Sequence, residues 1–234
     1  MDDALYARHP AVYDALYDHK EYDAEVAFVL DRFDRRGNGG DHVLVVGCGT
    51  GEHTRRLVDH GFDVTAVDKH EAMVERARSK VDADFRVDAL PDLDVSGPFD
   101  LVLVPFTVVN HLAPAELGPA VSRLADVLAD GGVLVFDCGD DWSDLYDPWV
   151  RTYSGPDGDY ARVGQVEERE GDELRWHSLV FTPDGDWFVD AHDLTAFPTD
   201  AVLDALADEG FTVETFGAYD VQAADGTGVF VAVR

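Results

Sequence analysis

The sequence predicts an α/β fold in which a doubly wound, seven-stranded and mostly parallel sheet ends in an antiparallel last strand. Short β-branched apolar runs alternate with helical segments as far as residue 138, an order typical of a parallel sheet covered on both faces. A glycine-rich turn joins the first of these runs to a helix. Beyond residue 139 the apolar and polar residues alternate as in antiparallel strands, which predicts a small β insertion after strand five.

The first half of the chain begins with an expected helical cap over about 1–37. Residues 11–36 have apolar side chains at spacings of three and four among acids, and the glycines of 37–40 end the helix. The main fold is expected to follow directly. Its strands are expected at 42–47, 62–68, 85–90, 99–106 and 132–138, and its helices at about 52–60, 70–80 and 114–129.

The β insertion is expected over about 139–195. Its first part, 139–159, is rich in Asp, Gly and aromatic residues and is predicted to be a loop. The expected elements from there on are strands at 161–170, 173–182 and 186–197, a helix at about 199–209, and final strands at 211–219 and 228–234. A short glycine-containing stretch between the last two strands favours an antiparallel pair. We expect the whole chain, 1–234, to form one domain.

The composition is strongly acidic. The 234 residues include 48 Asp and Glu against 18 Lys and Arg, a formal net charge of −30, and the acids are spread through every segment. Such a surface resembles that of proteins from halophilic organisms, because dense salt screens the repulsion among carboxylates. The charge also argues against a nucleic-acid substrate held by a basic stripe.

Other features of the composition predict a soluble, cytoplasmic protein. No apolar run approaches the ~18 residues that a membrane-spanning helix needs, and the acidic N-terminus is unlike a signal peptide. The two cysteines, Cys48 and Cys138, lack metal-type spacing, so neither a metal site nor a disulfide is expected. We expect no membrane partner, and the sequence makes no prediction of oligomeric state.

The glycine turn GCGTG at 47–51 has the strand–loop–helix setting of a nucleotide-type binding site. Glycines allow a ligand to approach the backbone closely, and the helix that follows offers free N–H groups. Asp68 ends the next apolar run, where an acid can accept both hydroxyls of a ribose. The alternative is a tight turn without a ligand, with Asp68 one solvated acid among many.

The spacing of the glycines distinguishes between ligands. A dinucleotide fingerprint requires a glycine where this chain has Glu52, and an acid at that helix start would oppose a pyrophosphate. The lysine of a phosphate-binding P-loop is absent as well. S-adenosylmethionine has no phosphate, so neither objection applies to it.

The chain resembles the class I S-adenosylmethionine-dependent methyltransferases over essentially its whole length. The resemblance rests on five segments in the order of the family: VLVVGCGTG (43–51), VTAVDKHEAMVERA (64–77), VDAL (87–90), FDLVLVPFTVVNHL (99–112) and GGVLVFD (131–137). It implies a Rossmann-like fold, S-adenosylmethionine as the cofactor and S-adenosylhomocysteine as the product.

The resemblance also implies which residues contact the cofactor. They are Gly47, Cys48, Gly49, Gly51, Asp68, Lys69, Asp88, Ala89 and Pro105. The glycines would line the methionine and ribose portions, and Asp68 would hold the ribose hydroxyls. Lys69, Asp88 and Ala89 would border the adenine. Val45 is a departure, because the family usually has an acid there that helps to position the methionine portion.

The acceptor site would lie after the fourth strand. His111 is the candidate catalytic residue, as a proton acceptor from the substrate, although a histidine there could equally begin a helix. Tyr17, Asn110 and Arg151 are the candidate substrate-binding residues, with simple packing as the alternative for Tyr17 and Arg151. In related small methyltransferases, an N-terminal segment such as the one with Tyr17 closes over the cofactor.

The implied reaction is direct displacement at the sulfonium methyl, in which the protein mainly contributes positioning. By analogy with other lid-bearing methyltransferases, the β insertion predicts a small-molecule acceptor. Two other functions stay open. Val45 suggests a regulatory module that binds S-adenosylmethionine or S-adenosylhomocysteine without efficient catalysis. A nucleotide-dependent oxidoreductase is the second, and Glu52 disfavours it.

Overall fold

The structure is a computed structural model and describes residues 3–219 and 227–234. Its strands are β1 (His42–Val46), β2 (Asp63–Asp68), β3 (Asp84–Val87), β4 (Phe99–Val104), β5 (Leu128–Gly139), β6 (Trp149–Gly155), β7 (Gly158–Glu168), β8 (Glu173–Phe181), β9 (Trp187–Thr195), β10 (Thr212–Phe216) and β11 (Thr227–Val233). Its helices are α1 (Ala4–Arg8), α2 (Pro10–Tyr17), α3 (Tyr22–Arg36), α4 (Glu52–Asp59), α5 (Glu71–Arg78), α6 (Leu117–Val127) and α7 (Thr199–Asp208), with short 3-10 turns at Val108–His111, Pro114–Glu116 and Ser143–Leu145. None of the helices in the described part of the chain is long and apolar enough to cross a bilayer.

Seven strands form the main sheet, in the order β10-β11-β5-β4-β1-β2-β3. The pairs β1–β2, β1–β4, β2–β3 and β4–β5 are parallel, whereas β11 is antiparallel to both β5 and β10. The predicted seven-stranded, mostly parallel sheet with an antiparallel last strand is confirmed. The glycine-containing stretch between the last two strands falls largely on 220–226, outside the described residues.

Two apolar layers cover the main sheet because successive residues of a strand point to opposite faces. Leu44 in β1 packs in the layer that includes α6 and α7, and its neighbours Val43 and Val45 pack in the layer that includes α3. All three side chains are fully buried, and each such burial stabilises the fold by about 1.5–3 kcal/mol. The central strands therefore hold the loops at their carboxyl ends in fixed positions.

A second sheet, called the lid sheet below, consists of β6 to β9 in that order and is antiparallel throughout. It confirms the predicted β insertion after strand five. The loop expected over 139–159 is wrong in part, because residues 149–155 form β6. The ring of Trp149 covers Gly164 of β7 so closely that an added Cβ there would lie 2.2 Å from it. This contact stabilises β6, and the Asp and Gly residues on both sides of the strand obscured it in the sequence.

The N-terminal segment forms separate helices where one was expected over 11–36. Helix α2 ends at Tyr17 and α3 begins at Tyr22, with the N–H of Lys20 donating to the carbonyl of Tyr17 between them. The single helix is wrong because the two helices pack on different structures. Leu16 of α2 packs in a cluster with the lid sheet, while Val26 of α3 packs under the main sheet. The apolar spacing continues through the turn, so periodicity does not register the change of direction.

Helices α1 and α2 lie between the lid sheet and the turn that follows β4. The N–H of Asp3 donates to the carbonyl of Ala191 at 2.9 Å, and the N–H of Leu5 donates to the carboxylate of Asp190 at 2.9 Å. Both acceptors are in β9. The lid sheet thereby holds the N-terminal helices over the carboxyl ends of the main strands.

Candidate functional site

Glycine shapes the turn between β1 and α4. Gly47, Gly49 and Gly51 have φ angles of +69°, +54° and +89°, a region that residues with a side chain rarely adopt. A Cβ on Gly47 would also lie 2.3 Å from Cγ2 of Val108. Cys48 is buried within this turn, and burial raises the pKa of its thiol well above the usual value. The turn therefore presents backbone, and Cys48 fills space as a neutral thiol.

Asp68, the last residue of β2, connects the glycine turn to the start of α5. One carboxylate oxygen accepts the N–H of Gly49 at 2.9 Å, and the other accepts the N–H of His70 at 2.9 Å. The residue is 8% exposed. A carboxylate has about four lone-pair sites, so each oxygen keeps capacity for another donor such as a hydroxyl.

Asp88 lies beside Asp68 at the end of β3, and its N–H donates to the Asp68 carbonyl at 3.1 Å. Its carboxylate accepts the N–H of Ala89 at 2.9 Å and that of Asp94 at 2.8 Å. These bonds fold the residues after β3 into a loop. The strand expected over 85–90 is therefore too long, and Asp88 and Ala89 belong to the loop beside the glycine turn.

Lys69 and His70 attach α1 to this region through Asp3. The Lys69 ammonium and His70 Nε2 lie 3.1 Å and 3.3 Å from the same Asp3 carboxylate oxygen. Burial alone would raise the pKa of Asp3, but the bonds from His70 and Lys69 hold it well below its usual value. Burial would lower the pKa of His70, whereas its bonds to Asp3 and Asp68 raise it overall.

Asp14 fastens α2 over the glycine turn. Its carboxylate accepts hydrogen bonds from the Thr50 hydroxyl, from Nε of Arg76 at 2.8 Å and from Nζ of Lys80 at 2.7 Å. Thr50 belongs to the turn, and Arg76 and Lys80 lie on and just after α5. One side chain of α2 is thus bonded to both elements that frame the site.

Aromatic side chains close the space above the turn. The Tyr13 hydroxyl lies 3.7 Å from the position of a Cβ on Gly49, and the Tyr13 and Tyr17 rings are 4.7 Å apart. Tyr17 meets the ring of Phe106 edge-on at 4.9 Å. Buried Pro105 completes the wall. About 20 Å³ of free space remains here, roughly the room that one water needs.

The chain turns sharply after β4, two residues before the expected strand end at 106. Phe106 and Thr107 have φ angles of +64° and +55°, although neither is glycine. The Thr107 N–H donates to the buried carboxylate of Asp137 at 2.7 Å. Burial raises the pKa of Asp137 to about 6. This strained turn, which costs about 1–3 kcal/mol per residue, places the Phe106 ring against α2.

A buried ionic cluster not expected from the sequence lies beside the same space. Lys20 pairs with Glu25, and the second oxygen of Glu25 lies 2.8 Å from Nε2 of His53. Burial would raise the pKa of Glu25, but these two partners lower it overall. His53 and Tyr22 line the cavity directly. The sequence contains one indication of this cluster. Glu25 and His53 occupy helix positions at the spacing of the buried apolar residues.

His111 ends the 3-10 turn after β4 and lies among aromatic rings. Its ring centroid is 5.0 Å from that of His192 and 5.9 Å from that of Tyr6. Burial lowers the pKa of His111 to about 4. The imidazole is therefore neutral at pH 7 and can offer one ring nitrogen as an acceptor.

Asn110 has a different environment from its neighbour. It is fully buried, donates to the carbonyls of Gly139 and Thr195 at 2.7 Å each, and accepts the Gly139 N–H at 2.9 Å. These bonds join β5 to β9. The side chain therefore supports the backbone near the site and does not line it, contrary to the substrate-contact expectation.

Tyr17 and Arg151 are the other residues predicted to bind substrate. The structure gives them different surroundings. The Tyr17 hydroxyl accepts a hydrogen bond from Nη1 of Arg162 at 2.9 Å and faces the aromatic wall. Arg151 is exposed on β6, with its guanidinium 4.9 Å from the Trp149 ring centroid. The structure thus places the Tyr17 ring against the aromatic wall above the glycine turn, whereas Arg151 is exposed on β6 and packs on Trp149.

The turn and its neighbours fit S-adenosylmethionine. The glycine backbone has no Cβ to obstruct a ligand, and Asp68 has lone pairs free for two hydroxyls. Glu52 at the start of α4 is paired with Arg56 at 2.9 Å and Lys80 at 3.3 Å, so the helix start has no cation free for a phosphate. No group of three or more His, Cys, Asp or Glu within 3–219 and 227–234 is arranged to hold a metal ion.

A larger, open groove of about 500 Å³ lies away from the turn, between the lid sheet and α7. Its walls include Asp140, Asp141, Glu168, Asp172 and Asp200. None of the predicted site residues borders it, so its size does not make it the functional site.

Together the fold and the glycine turn define a Rossmann-like domain that binds a nucleoside without a phosphate. Residues 43–132 match the family model described as "Methyltransferase domain". A dTDP-3-amino-3,4,6-trideoxy-alpha-D-glucopyranose N,N-dimethyltransferase from Streptomyces venezuelae is 30% identical, with 96% of this chain and 97% of the relative covered. The chain belongs to the S-adenosylmethionine-dependent methyltransferases, and S-adenosylmethionine is its cofactor.

Two solved structures show the same fold. The sugar N-methyltransferase KedS8 from Streptoalloteichus sp ATCC 53650 is 31% identical, with a TM-score of 0.77 and coverage of 95% of this chain and 92% of that one. An S-adenosylmethionine-dependent methyltransferase from Clostridium acetobutylicum is 18% identical, with a TM-score of 0.83 and coverage of 97% and 98%. The predicted enzyme class and cofactor are therefore confirmed, whereas the oxidoreductase alternative is excluded.

Proposed function

We propose that the chain transfers a methyl group to the amino nitrogen of a sugar linked to a nucleoside diphosphate. The relatives from Streptomyces venezuelae and Streptoalloteichus are both named for N-methylation of a sugar. The observation that carries the proposal is the likeness to these two relatives over nearly the whole chain, together with the buried, neutral imidazole of His111 at the end of the turn after β4. An amine attacks through its lone pair, and a neutral acceptor can bind the amine N–H without adding positive charge near the sulfonium.

In this proposal the cofactor lies along the glycine turn. Gly47, Gly49 and Gly51 border its methionine and ribose portions, and Asp68 accepts the ribose hydroxyls. Asp88, Ala89 and Lys69 border the adenine, while Pro105 and Cys48 border the methionine portion. The ion pair of Lys20 and Glu25 supplies charge at the methionine end, where Val45 leaves β1 without an acid.

The residues of the chain act mainly by positioning. S-adenosylmethionine supplies a methyl group on a positively charged sulfur. The nitrogen lone pair forms the N–C bond while the S–C bond breaks. The electron pair of the broken S–C bond stays on sulfur. His111 accepts the amine N–H and so directs the lone pair. Because its pKa is about 4, His111 does not retain the proton, which the methylated ammonium releases to solvent.

Methyl transfer to a defined acceptor tests the proposal. We expect mass spectrometry to show one or two added methyl groups on dTDP-3-amino-3,4,6-trideoxy-α-D-glucopyranose after incubation with S-adenosylmethionine in molar KCl. dTDP-glucose has hydroxyls but no amine, and it should stay unmodified. Methylation of dTDP-glucose, or no transfer to the amino sugar under conditions where S-adenosylmethionine binds, would contradict the proposal.

We also propose that the enzyme works in a salt-rich cytoplasm. The support is the net charge of −30, which no local patch accounts for because the 48 acids are spread along the whole sequence. The chain has 48 Asp and Glu but only 18 Lys and Arg, so there are too few cationic side chains to pair with most of the carboxylates, and dissolved cations would screen them.

A further inference from the structure

The inner face of the lid sheet has a group of buried polar side chains that the proposed reaction does not use. Arg162 in β7 and Asp190 and His192 in β9 are 2%, 0% and 5% exposed. We call these three residues the lid cluster. The ring of Trp176 in β8 packs on two of them, 4.9 Å from the Arg162 guanidinium and 5.9 Å from the His192 ring.

The lid cluster makes fewer hydrogen bonds than its chemistry requires. Nη1 of Arg162 donates to Tyr17 and Oδ1 of Asp190 accepts the Leu5 N–H, but Nε of Arg162, Oδ2 of Asp190 and Nδ1 of His192 have no hydrogen-bond partner among the described residues. Asp190 Oδ2 is 3.7 Å from both Arg162 Nη2 and His192 Nδ1, too far for a hydrogen bond. Buried polar groups in this state are unfavourable unless a water molecule or a ligand completes their hydrogen bonds.

The lid cluster is next to the proposed acceptor position. Tyr17, which Arg162 holds, contacts Phe106 at the carboxyl end of β4. His192 lies 5.0 Å from His111 between ring centroids. A small acceptor with its amine at His111 would therefore place its adjoining ring atoms against the lid cluster.

The unpaired atoms indicate which group the ligand supplies. Nε of Arg162 needs an acceptor and Oδ2 of Asp190 needs a donor. A phosphate oxygen could satisfy the arginine but would face the aspartate with like charge. A hydroxyl both donates and accepts, so it satisfies the two together. We infer that the lid cluster binds the 4-hydroxyl of a 3-amino acceptor sugar and so determines acceptor specificity, an inference that rests on the proposed function.

Two acceptors that differ by one hydroxyl test this inference. dTDP-3-amino-3,6-dideoxy-α-D-glucopyranose has a 4-hydroxyl that the 3,4,6-trideoxy compound lacks. We would measure the Kd of each by calorimetry with S-adenosylhomocysteine bound, so that the result does not depend on methyl transfer. We expect the hydroxylated sugar to bind at least about tenfold tighter to the wild-type chain.

The substitution Asp190→Asn should reduce that difference to about twofold or less. The Leu5 N–H keeps the amide oxygen at the Oδ1 position, so the NH2 group, which only donates, takes the place of the oxygen that accepts the hydroxyl. Asp193→Asn, on the outer face of the same strand, should preserve it. Equal binding of both sugars by the wild type, no binding of either, or a preserved difference in Asp190→Asn would overturn the inference. Arg162→Lys gives a second test if Asp190→Asn does not fold. Binding without methyl transfer would contradict the proposed function alone.

Discussion

The Asp68 carboxylate accepts two backbone N–H groups, from Gly49 and His70, and it is proposed to accept ribose hydroxyls as well. The residue is therefore part of the loop structure as much as of the ligand site. A change to alanine would remove both functions at once and could not separate them. The amide of asparagine keeps the size of the side chain and one acceptor oxygen.

We predict that Asp68→Asn weakens S-adenosylmethionine binding about 10- to 100-fold, because hydrogen bonds to a charged acceptor contribute about 1.5–3 kcal/mol. Titration calorimetry measures the Kd, and thermal unfolding reports the loss of a loop bond. Asp63→Asn, at the exposed start of β2, is the matched control and should leave the Kd unchanged. An unchanged Kd for Asp68→Asn would contradict the ribose assignment.

His111 is neutral in the folded chain because burial lowers its pKa to about 4. In the unfolded chain its pKa returns to about 6.5. Between these values the unfolded state binds a proton that the folded state does not. The stabilisation is therefore fully present above about pH 6.5 and is lost as the pH falls toward 4.

We predict that His111→Gln makes the free energy of unfolding less dependent on pH between 6.5 and 4. The slope should fall by up to about 1.4 kcal/mol per pH unit, the limit for one titrating group. Urea unfolding at several pH values measures it. His60→Gln, an exposed residue after α4, serves as the control. Identical slopes for wild type and His111→Gln would show that His111 is not held neutral.

Among the elements, the glycine turn and the turn after β4 depend on each other. A Cβ on Gly47 would overlap Val108, which begins the 3-10 turn that ends at His111. Gly61 after α4 has a similar φ of +93° but no atom within 4 Å of an added Cβ. A comparison of the same substitution at Gly47 and at Gly61 therefore separates the cost of backbone strain from the cost of steric overlap.

We predict that Gly61→Ala lowers the free energy of unfolding by about 1–2 kcal/mol, the cost of a left-handed residue with a side chain. Gly47→Ala should cost more and should also weaken S-adenosylmethionine binding, because it displaces Val108. Urea unfolding and calorimetry measure the two effects. Equal losses of stability, with unchanged cofactor affinity, would show that the contact with Val108 is unimportant.

The elements that the sequence predicts well are those with local causes. The strands of the main sheet appear as short β-branched runs, and Gly47 and Asp68 follow from their positions at strand ends. The break at 18–21 and strand β6 have tertiary causes. They depend on Leu16 packing against the lid sheet and on Trp149 covering Gly164. No local pattern records these contacts.

The lid cluster was missed for the same reason. Asp190 meets Leu5 across 185 residues of sequence, and Arg162 meets Tyr17 across 145. The alternation of residues along β7 and β9 places Arg162, Asp190 and His192 at positions that point to the buried face of the lid sheet. This alternation is the one indication of the cluster in the sequence. Asn110 shows the converse, because this conspicuous polar residue beside His111 bonds to the backbone of β5 and β9 and supports it.

For the molecule as a whole, the net charge of −30 determines how the fold responds to salt. The Debye length falls from about 10 Å at 0.1 M to about 3 Å at 1 M, so repulsion between neighbouring carboxylates is largely screened at the higher concentration. Apolar burial continues to stabilise the core at either concentration.

We predict that the melting temperature rises steeply between 0.1 M and 2 M KCl, because the screening of the surface carboxylates increases over this range of concentration. Differential scanning fluorimetry measures it. A chain with Asp41→Asn and Asp63→Asn, two acids whose side chains are 77% and 79% exposed, should need less salt for the same melting temperature. A melting temperature independent of salt would contradict the proposal of a salt-rich environment.

The three bonds of Asp14 have a consequence for the time course of catalysis. Only about 20 Å³ of space is free above the glycine turn, so we expect α2 to move away from the turn when S-adenosylmethionine enters and when S-adenosylhomocysteine leaves. Each withdrawal breaks the bonds of Asp14 to Thr50, Arg76 and Lys80. Dissolved ions weaken such partly exposed ion pairs. We therefore expect the salt that stabilises the acidic surface also to shorten the time for which the product stays bound.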